Sequence, residues 1–302
     1  MRKKVIVVGS LNYDIFTKIP HRPELGENLP VDEVSFSAGG KGANQAVQAA
    51  KLGMETYMAG CVGSDAMGDM LLASAEKFGL HTEYIRRTEE PTGMGLVSVL
   101  PDGSVYANII RGANFAITRE DVDRLGSLWD EAGYVMIQME IPMDINRYVI
   151  DKAKAHGCKV VLNAAPAEKF ENEYMKKCDI LVVNEVEAGF YANEVIDSLE
   201  KACRLADKKA ADMGNSWIIT MGKQGAVVSN GQKHEVIPSE KVNAIETTGA
   251  GDSFIGGIIY ALNHEMDLFD ACRFATKCSA VTVSRVGAQD SMPTLKDLNT
   301  KQ

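Results

Sequence analysis

Short apolar runs bounded by turn residues alternate along this chain with longer stretches of helical period, and that alternation leaves few folds open. Val5 to Val8, Thr56 to Cys61, Tyr134 to Met139, Lys159 to Leu162, Ile180 to Val183 and Trp217 to Thr220 read as strands. Between the first two, Ala43, Ala46, Val47 and Ala50 recur at i, i+3, i+4 and i+7 with Gly53 as a stop, so a helix is expected from Gly42 to Leu52. Similar periods predict helices over Met67 to Phe78, Ile145 to His156 and Glu194 to Met213. Strand, helix, strand, helix is the order of crossover units laying down a parallel sheet, an α/β fold.

Residues 13–37 and 93–111 break that rhythm. In the second, Met94 to Leu100 and Val105 to Ile110 flank the turn Pro101-Asp102-Gly103-Ser104 with no helix between them. Such strands join a parallel sheet poorly, so a small separate sheet over one end of the main domain is expected. It is either a lid that excludes water or a decorative hairpin. With no linker, repeat or low-complexity tract, residues 1–302 read as a single domain.

A chain of 302 residues that is 45% hydrophobic can bury a sizeable core, which argues against disordered and fibrous classes. Its formal charge of −9 disfavours non-specific attraction to nucleic acid or anionic lipid, so any phosphate must be met by a local site. Cysteines 61, 158, 178, 203, 272 and 278 form no C-x-x-C pair and read as thiols of a reducing compartment. The start Met1-Arg2-Lys3-Lys4 imitates a signal peptide only until the apolar run stops at Asn12 and Asp14. No segment approaches the roughly 18 apolar residues of a membrane span. A cytoplasmic location, with neither nucleic acid nor membrane as partner, is expected. His21, His81, His156, His234 and His264 show no partners in the sequence and receive no role.

Four segments carry candidate chemistry. Glu246-Thr247-Thr248-Gly249-Ala250-Gly251-Asp252-Ser253-Phe254 is a small-residue turn entering a helical run, and such a turn presents free N–H groups and a positive helix end to phosphate. Asp252 at that start is either a base for an attacking hydroxyl or merely a helix cap. Ala38-Gly39-Gly40-Lys41-Gly42-Ala43-Asn44-Gln45-Ala46 allows close backbone approach, with Lys41 and Asn44 as hydroxyl readers; otherwise it is a helix entry with a solvated lysine. Neither a Walker A loop nor a Gly-x-Gly-x-x-Gly fingerprint occurs. Gly9-Ser10-Leu11-Asn12-Tyr13-Asp14 and Asn184-Glu185-Val186-Glu187 each follow a strand at its carboxyl end, where ligands collect in open α/β sheets. There Asp14 could clamp vicinal hydroxyls, and Asn184 with Glu187 a hydrated magnesium ion; the plain alternatives are caps or solvated charges.

Together these segments resemble the ribokinase, or PfkB carbohydrate kinase, family over nearly the whole chain. Gly9 to Asp14 is similar to its N-terminal sugar motif, Gly39 to Ala46 to its first signature and Thr247 to Ser253 to its second. The resemblance implies a doubly wound, mostly parallel sheet flanked by helices with a small β-sheet lid, MgATP as donor, and phosphorylation of a primary sugar hydroxyl, ribose first among candidates. It implies Asp252 as catalytic base, with Gly249, Ala250 and Gly251 as the anion hole. Sugar contacts would come from Asn12, Asp14, Gly40, Lys41, Asn44 and Glu140. Nucleotide contacts would come from Asn184, Glu187, Thr220, Gly222, Gly225, Gly251 and Thr276. A potassium site would use Glu246, Thr248, Thr282, Arg285, Gly287 and Ser291, partly through carbonyls. A homodimer through the lid is expected.

Two positions depart from the family pattern. Glu246 stands where Asp is usual, which puts potassium activation in question, and Tyr13 replaces a small residue, which would narrow or reshape the sugar pocket. A family kinase for another pentose, a ketohexose or a nucleoside is the nearest alternative; from another class, the chain would be a non-catalytic sugar sensor.

Overall fold

The computed structural model describes residues 4–102 and 104–299. Met1 to Lys3, and Gly103 of the expected turn, lie outside the described residues. The main sheet is built from β1 (Lys4–Val8), β4 (Thr56–Gly63), β5 (His81–Thr88), β8 (Ala132–Gln138), β9 (Lys159–Asn163), β10 (Ile180–Asn184), β11 (Ser216–Thr220), β12 (Ala226–Ser229) and β13 (His234–Ile237). Their order is β13-β12-β11-β10-β9-β8-β1-β4-β5, parallel except for β12 and β13. β1 lies between β4 and β8, so the chain winds outward from it in both directions, and its carboxyl end is a switch point where a crevice opens.

Alternation along β1 explains the layers. Val5 and Val7 point to one face, where they meet the helices Lys41–Lys51, Ala250–Asn263 and Leu268–Val283 through Ala46, Ile258 and Ala275. Ile6 and Val8 point to the other face, whose core they share with Val149 of the helix Met143–Ala155 and Leu205 of the helix Leu199–Met213. All four β1 residues are fully buried. Each such side chain contributes about 1.5–3 kcal/mol of transfer free energy.

A second sheet, ordered β3-β2-β6-β7, comprises β2 (Asn12–Lys18), β3 (Val34–Gly39), β6 (Gly93–Val99) and β7 (Val105–Ile110). The expected small separate sheet therefore forms, although its central pair β2/β6 is parallel and residues 19–33 between β2 and β3 are irregular. Period-2 alternation sends Asn12 and Asp14 to one face and Tyr13 to the other, where its ring stacks on Phe36. Tyr13 therefore turns away from the face that carries Asn12 and Asp14.

Several elements differ from the sequence reading, the unread helix Leu268–Val283 among them. β5 was missed because its charged, half-exposed alternation at a sheet edge lacks an apolar run. β12 and β13 were missed because four residues each is too short a signal. The expected helix from Glu194 to Met213 begins only at Leu199, where the Ser198 hydroxyl accepts from Lys201 N–H. The histidines also acquire partners that only the fold supplies. His21, His156 and His234 meet Glu27, Asp130 and Asp207, His81 stacks on Tyr57, and His264 meets the Tyr260 carbonyl.

Candidate active site

The helix Ala250–Asn263 starts at Gly249, whose φ of 78° is the left-handed conformation glycine tolerates without strain. Among the described residues no side chain caps that end. The Asp252 carboxylate turns instead toward the helix Lys41–Lys51, accepting 3.0 Å hydrogen bonds from Asn44 Nδ2 at one oxygen and Gln45 Nε2 at the other. The capping alternative is thereby removed. Asp252 is 8% exposed, and burial raises its proton affinity; the Lys41 charge and the two amides oppose that shift.

Around Lys41 the chain assembles four carboxylates from distant segments: Asp252, Glu140, Glu187 and Asp14. Burial acts to lower the lysine's pKa, but these charges outweigh it and hold the ammonium above its ordinary value, so the solvated-lysine alternative fails. Glu140, just after β8, accepts from Lys41 N–H at 3.0 Å and from the Ser10 hydroxyl. Gly40, at φ 88°, lets this corner close, since a Cβ there would come 2.8 Å from Asn12 N and 2.9 Å from Ser10 O. Asn12 Oδ1 accepts from Asn114 Nδ2 at 2.7 Å. Burial, and then the nearby Glu140 charge, push Asp14 up to about 7, against a backbone hydrogen bond from Gly95. A half-buried carboxyl this perturbed beside Glu140 and Lys41 is no solvated surface charge.

On the other side of Asp252 opens a cleft of about 1240 Å³. Asn184, Glu187, Thr220, Gly222, Gly225, Gly249 to Asp252 and Thr276 all line it, as does Lys41. Asn184 and Glu187 form a capping box: Glu187 N donates to Asn184 Oδ1 and Asn184 N to Glu187 Oε2, both at 2.8 Å. The capping alternative is thus realised at the cleft wall itself. Ser239 to Ala244 complete the wall; the sequence reading missed them because an irregular segment carries no periodic signal.

The six expected cation ligands are brought together less completely. Glu246 Oε2 accepts from Gly287 N at 2.9 Å, joining two loops, and the Ser291 hydroxyl donates to the Ala288 carbonyl at 2.7 Å. Thr248 lies one residue before Gly249. The Thr282 hydroxyl instead donates to Ser253 Oγ at 2.8 Å, and the Arg285 guanidinium pairs with Asp297. Those two side chains are turned to other partners. Gln45, Gln138, Asn163 and Gln289, all around Asp252 or its ligands, were missed, because a lone buried amide has no distinguishing spacing.

A profile described as pfkB family carbohydrate kinase matches residues 2–295. Ribokinase of Staphylococcus aureus (strain COL) is 35% identical over 302 residues, covering 99% of each chain. Deoxyribokinase of Salmonella typhi is 33% identical over 298 residues, covering 98% of this chain and 97% of that one. The structure of Arabidopsis thaliana ribokinase complexed with ribose and ATP superposes with a TM-score of 0.89 at 30% identity, covering 100% of both. With the profile and these relatives spanning almost its whole length, the chain belongs to the pfkB family of carbohydrate kinases.

Proposed function

We propose that this protein transfers the γ-phosphoryl group of ATP to the primary hydroxyl of ribose, giving ribose 5-phosphate and ADP. The observation that carries the reading is the buried Asp252 carboxylate at the start of the Ala250–Asn263 helix, between a polar pocket and an open cleft. The S. aureus and Arabidopsis relatives support ribose, and the Salmonella relative makes 2-deoxyribose the second reading.

In this reading Asn12, Asp14, Lys41, Asn44 and Glu140 hold the sugar hydroxyls on one side, and ATP lies in the cleft. The attacking oxygen bonds to the γ-phosphorus in line as the bond to the β–γ bridging oxygen breaks; Asp252 takes the hydroxyl proton and ADP leaves. The N–H groups of the Gly249 to Gly251 turn, at a helix start, meet the charge gathering on the phosphate oxygens. Glu187 with Asn184 at the cleft wall fits a magnesium ion carried mainly by ATP, since that ion takes one or two carboxylates and keeps several waters. Such an ion neutralises phosphate charge. The Glu246 carboxylate and the carbonyls of the 285–291 loop are the oxygen donors a potassium ion accepts, and the longer Glu side chain still reaches that loop at Gly287.

The small sheet acts as a lid within a single domain. Its face away from the pocket exposes Val34, Phe36, Leu96 and Tyr106, which a second copy would cover; sedimentation tests that homodimer. Free thiols and an ATP donor suit the cytoplasm. No helix among the described residues is long and apolar enough to cross a membrane.

The test is ADP release across ribose, 2-deoxyribose, other pentoses, ketohexoses and nucleosides, with and without potassium. Ribose-driven turnover supports the reading, and a preference for 2-deoxyribose replaces the sugar. Silence with sugar still bound makes the protein a sensor.

A further inference from the structure

The carboxylate of Asp252 dictates the direction of two chains of amides. An ionised carboxylate only accepts, so Asn44 must turn Nδ2 toward it, leaving Asn44 Oδ1 to accept from Gln289 Nε2 at 3.2 Å. Gln289 Oε1 then faces the Ser74 hydroxyl, which donates to it at 3.2 Å. On the other oxygen, Gln45 Nε2 donates to Asp252 and also, at 3.1 Å, to Asn163 Oδ1. Gln45 Oε1 must therefore accept, and Gln138 Nε2 donates to it at 2.7 Å. That leaves Gln138 Oε1 buried with no partner among the described residues, pressed toward Gly9, where a Cβ would come within 2.1 Å of it. A buried acceptor left unmade is costly, and at this place the cost has a reason: the opposite amide direction would aim an oxygen at Asp252.

We propose that Gln138 and Gln289 are positioning residues for phosphoryl transfer, locking the amides of Gln45 and Asn44 so that both Asp252 oxygens receive N–H donors. The inference rests on Asp252 being the base. Gln138 comes from β8, Gln289 from the loop after the Leu268–Val283 helix and Ser74 from the Ala66–Lys77 helix, so three elements outside the pocket converge on one carboxylate. The charged groups facing Asp252 are Lys41 on the helix opposite, Glu140 after β8, Asp14 on β2 and Glu187 at the cleft wall. Lys41 favours the ionised form and the three carboxylates disfavour it, which leaves the two amides as the fixed neutral donors.

Gln138→Leu and Gln289→Leu each remove one lock. Donation to a carboxylate favours its ionised form, so losing it raises the pH at which Asp252 becomes a competent base. The acid limb of kcat should move upward in both variants. At a pH below that limb, each unit of movement lowers kcat about tenfold, and kcat recovers as the pH rises. The KM for sugar and for ATP should hold within about threefold. Gln138→Leu deletes the orphan oxygen but leaves the buried Gln45 Oε1 without its donor, so its melting temperature should stay close to the parent's, and this separates positioning from misfolding. A wild-type pH profile in both variants, or a loss of kcat equal at every pH, overturns the inference. Asp252→Asn measured alongside keeps the two claims apart. An inactive Asp252→Asn beside unshifted glutamine variants sinks only the amide locks, whereas an active one sinks the base assignment beneath them.

Discussion

The two compartments that meet at Asp252 are built differently. The polar cluster of Asn12, Asp14, Lys41, Asn44 and Glu140, to which the proposed function assigns the sugar, is made of side chains from β2, from the Lys41–Lys51 helix and from the segment after β8, buried or half-buried and cross-linked. The cleft beyond Asp252 is wide and lined largely by small residues and backbone, with glycines at 222, 225, 249 and 251. A sugar is told from its isomers only by where its hydroxyls point, which demands groups fixed in advance and the strain that fixing them entails. A triphosphate needs chiefly N–H groups and a helix end, which backbone supplies.

The sharpest way to break that contrast is Asp252→Asn, because this residue belongs to both sides. Turnover should fall by about 10²–10⁴-fold while sugar and ATP binding persist, since general base catalysis contributes on that scale. Loss of binding together with turnover would show that Asp252 organises the pocket rather than performing the chemistry.

A pair of glycine substitutions tests the two sides against each other. Gly40→Ala adds a Cβ to a left-handed residue within 3.0 Å of three backbone atoms, whereas a Cβ on Gly251 meets nothing within 4 Å. The first stores strain of about 1–3 kcal/mol. At about 1.4 kcal/mol per tenfold, sugar KM should rise by roughly ten- to a hundredfold, with a lowered melting temperature. Gly251→Ala should leave the melting temperature alone and act on the phosphate side, raising the KM for ATP and lowering kcat with the sugar KM unchanged. Equal effects from both would erase the distinction.

The smallest expected effect is on sugar affinity as pH changes. Asp14 is moved from an ordinary 3.8 to about 7, and in the proposed role it would accept sugar hydroxyls well only when ionised. Below about pH 7 its ionised fraction falls by roughly tenfold per unit, so calorimetric sugar affinity without ATP should weaken from pH 8 to pH 6. ATP affinity should change less. For stability the sign is opposite: between 3.8 and about 7 the folded chain keeps a proton that the unfolded chain has released. This group's contribution to stability therefore decreases as pH rises through that window. Asp14→Asn should flatten both dependences.

The glycine turns at 39–42 and 249–251, and the apolar runs of β1 and β8 to β11, are local patterns, and the sequence alone identified them with the parallel sheet they build. Motif order along the chain sufficed for the family. What stayed hidden was of two kinds. β5, β12 and β13 lack a periodic apolar signal. The amides Gln45, Gln138 and Gln289 are ordinary residues until the fold buries them. Tyr13 is the clearest lesson, since its neighbours Asn12 and Asp14 share one face of the small sheet while the pleat sends Tyr13 to the other. Residues 14, 41, 140, 187 and 252 alone determine which charges are available. Only the tertiary structure, by taking them out of water and setting them side by side, decided that Asp14 and Asp252 would gain proton affinity and that Lys41 would stay charged. Desolvation and Coulomb energy depend on distance through space, which sequence separation does not specify.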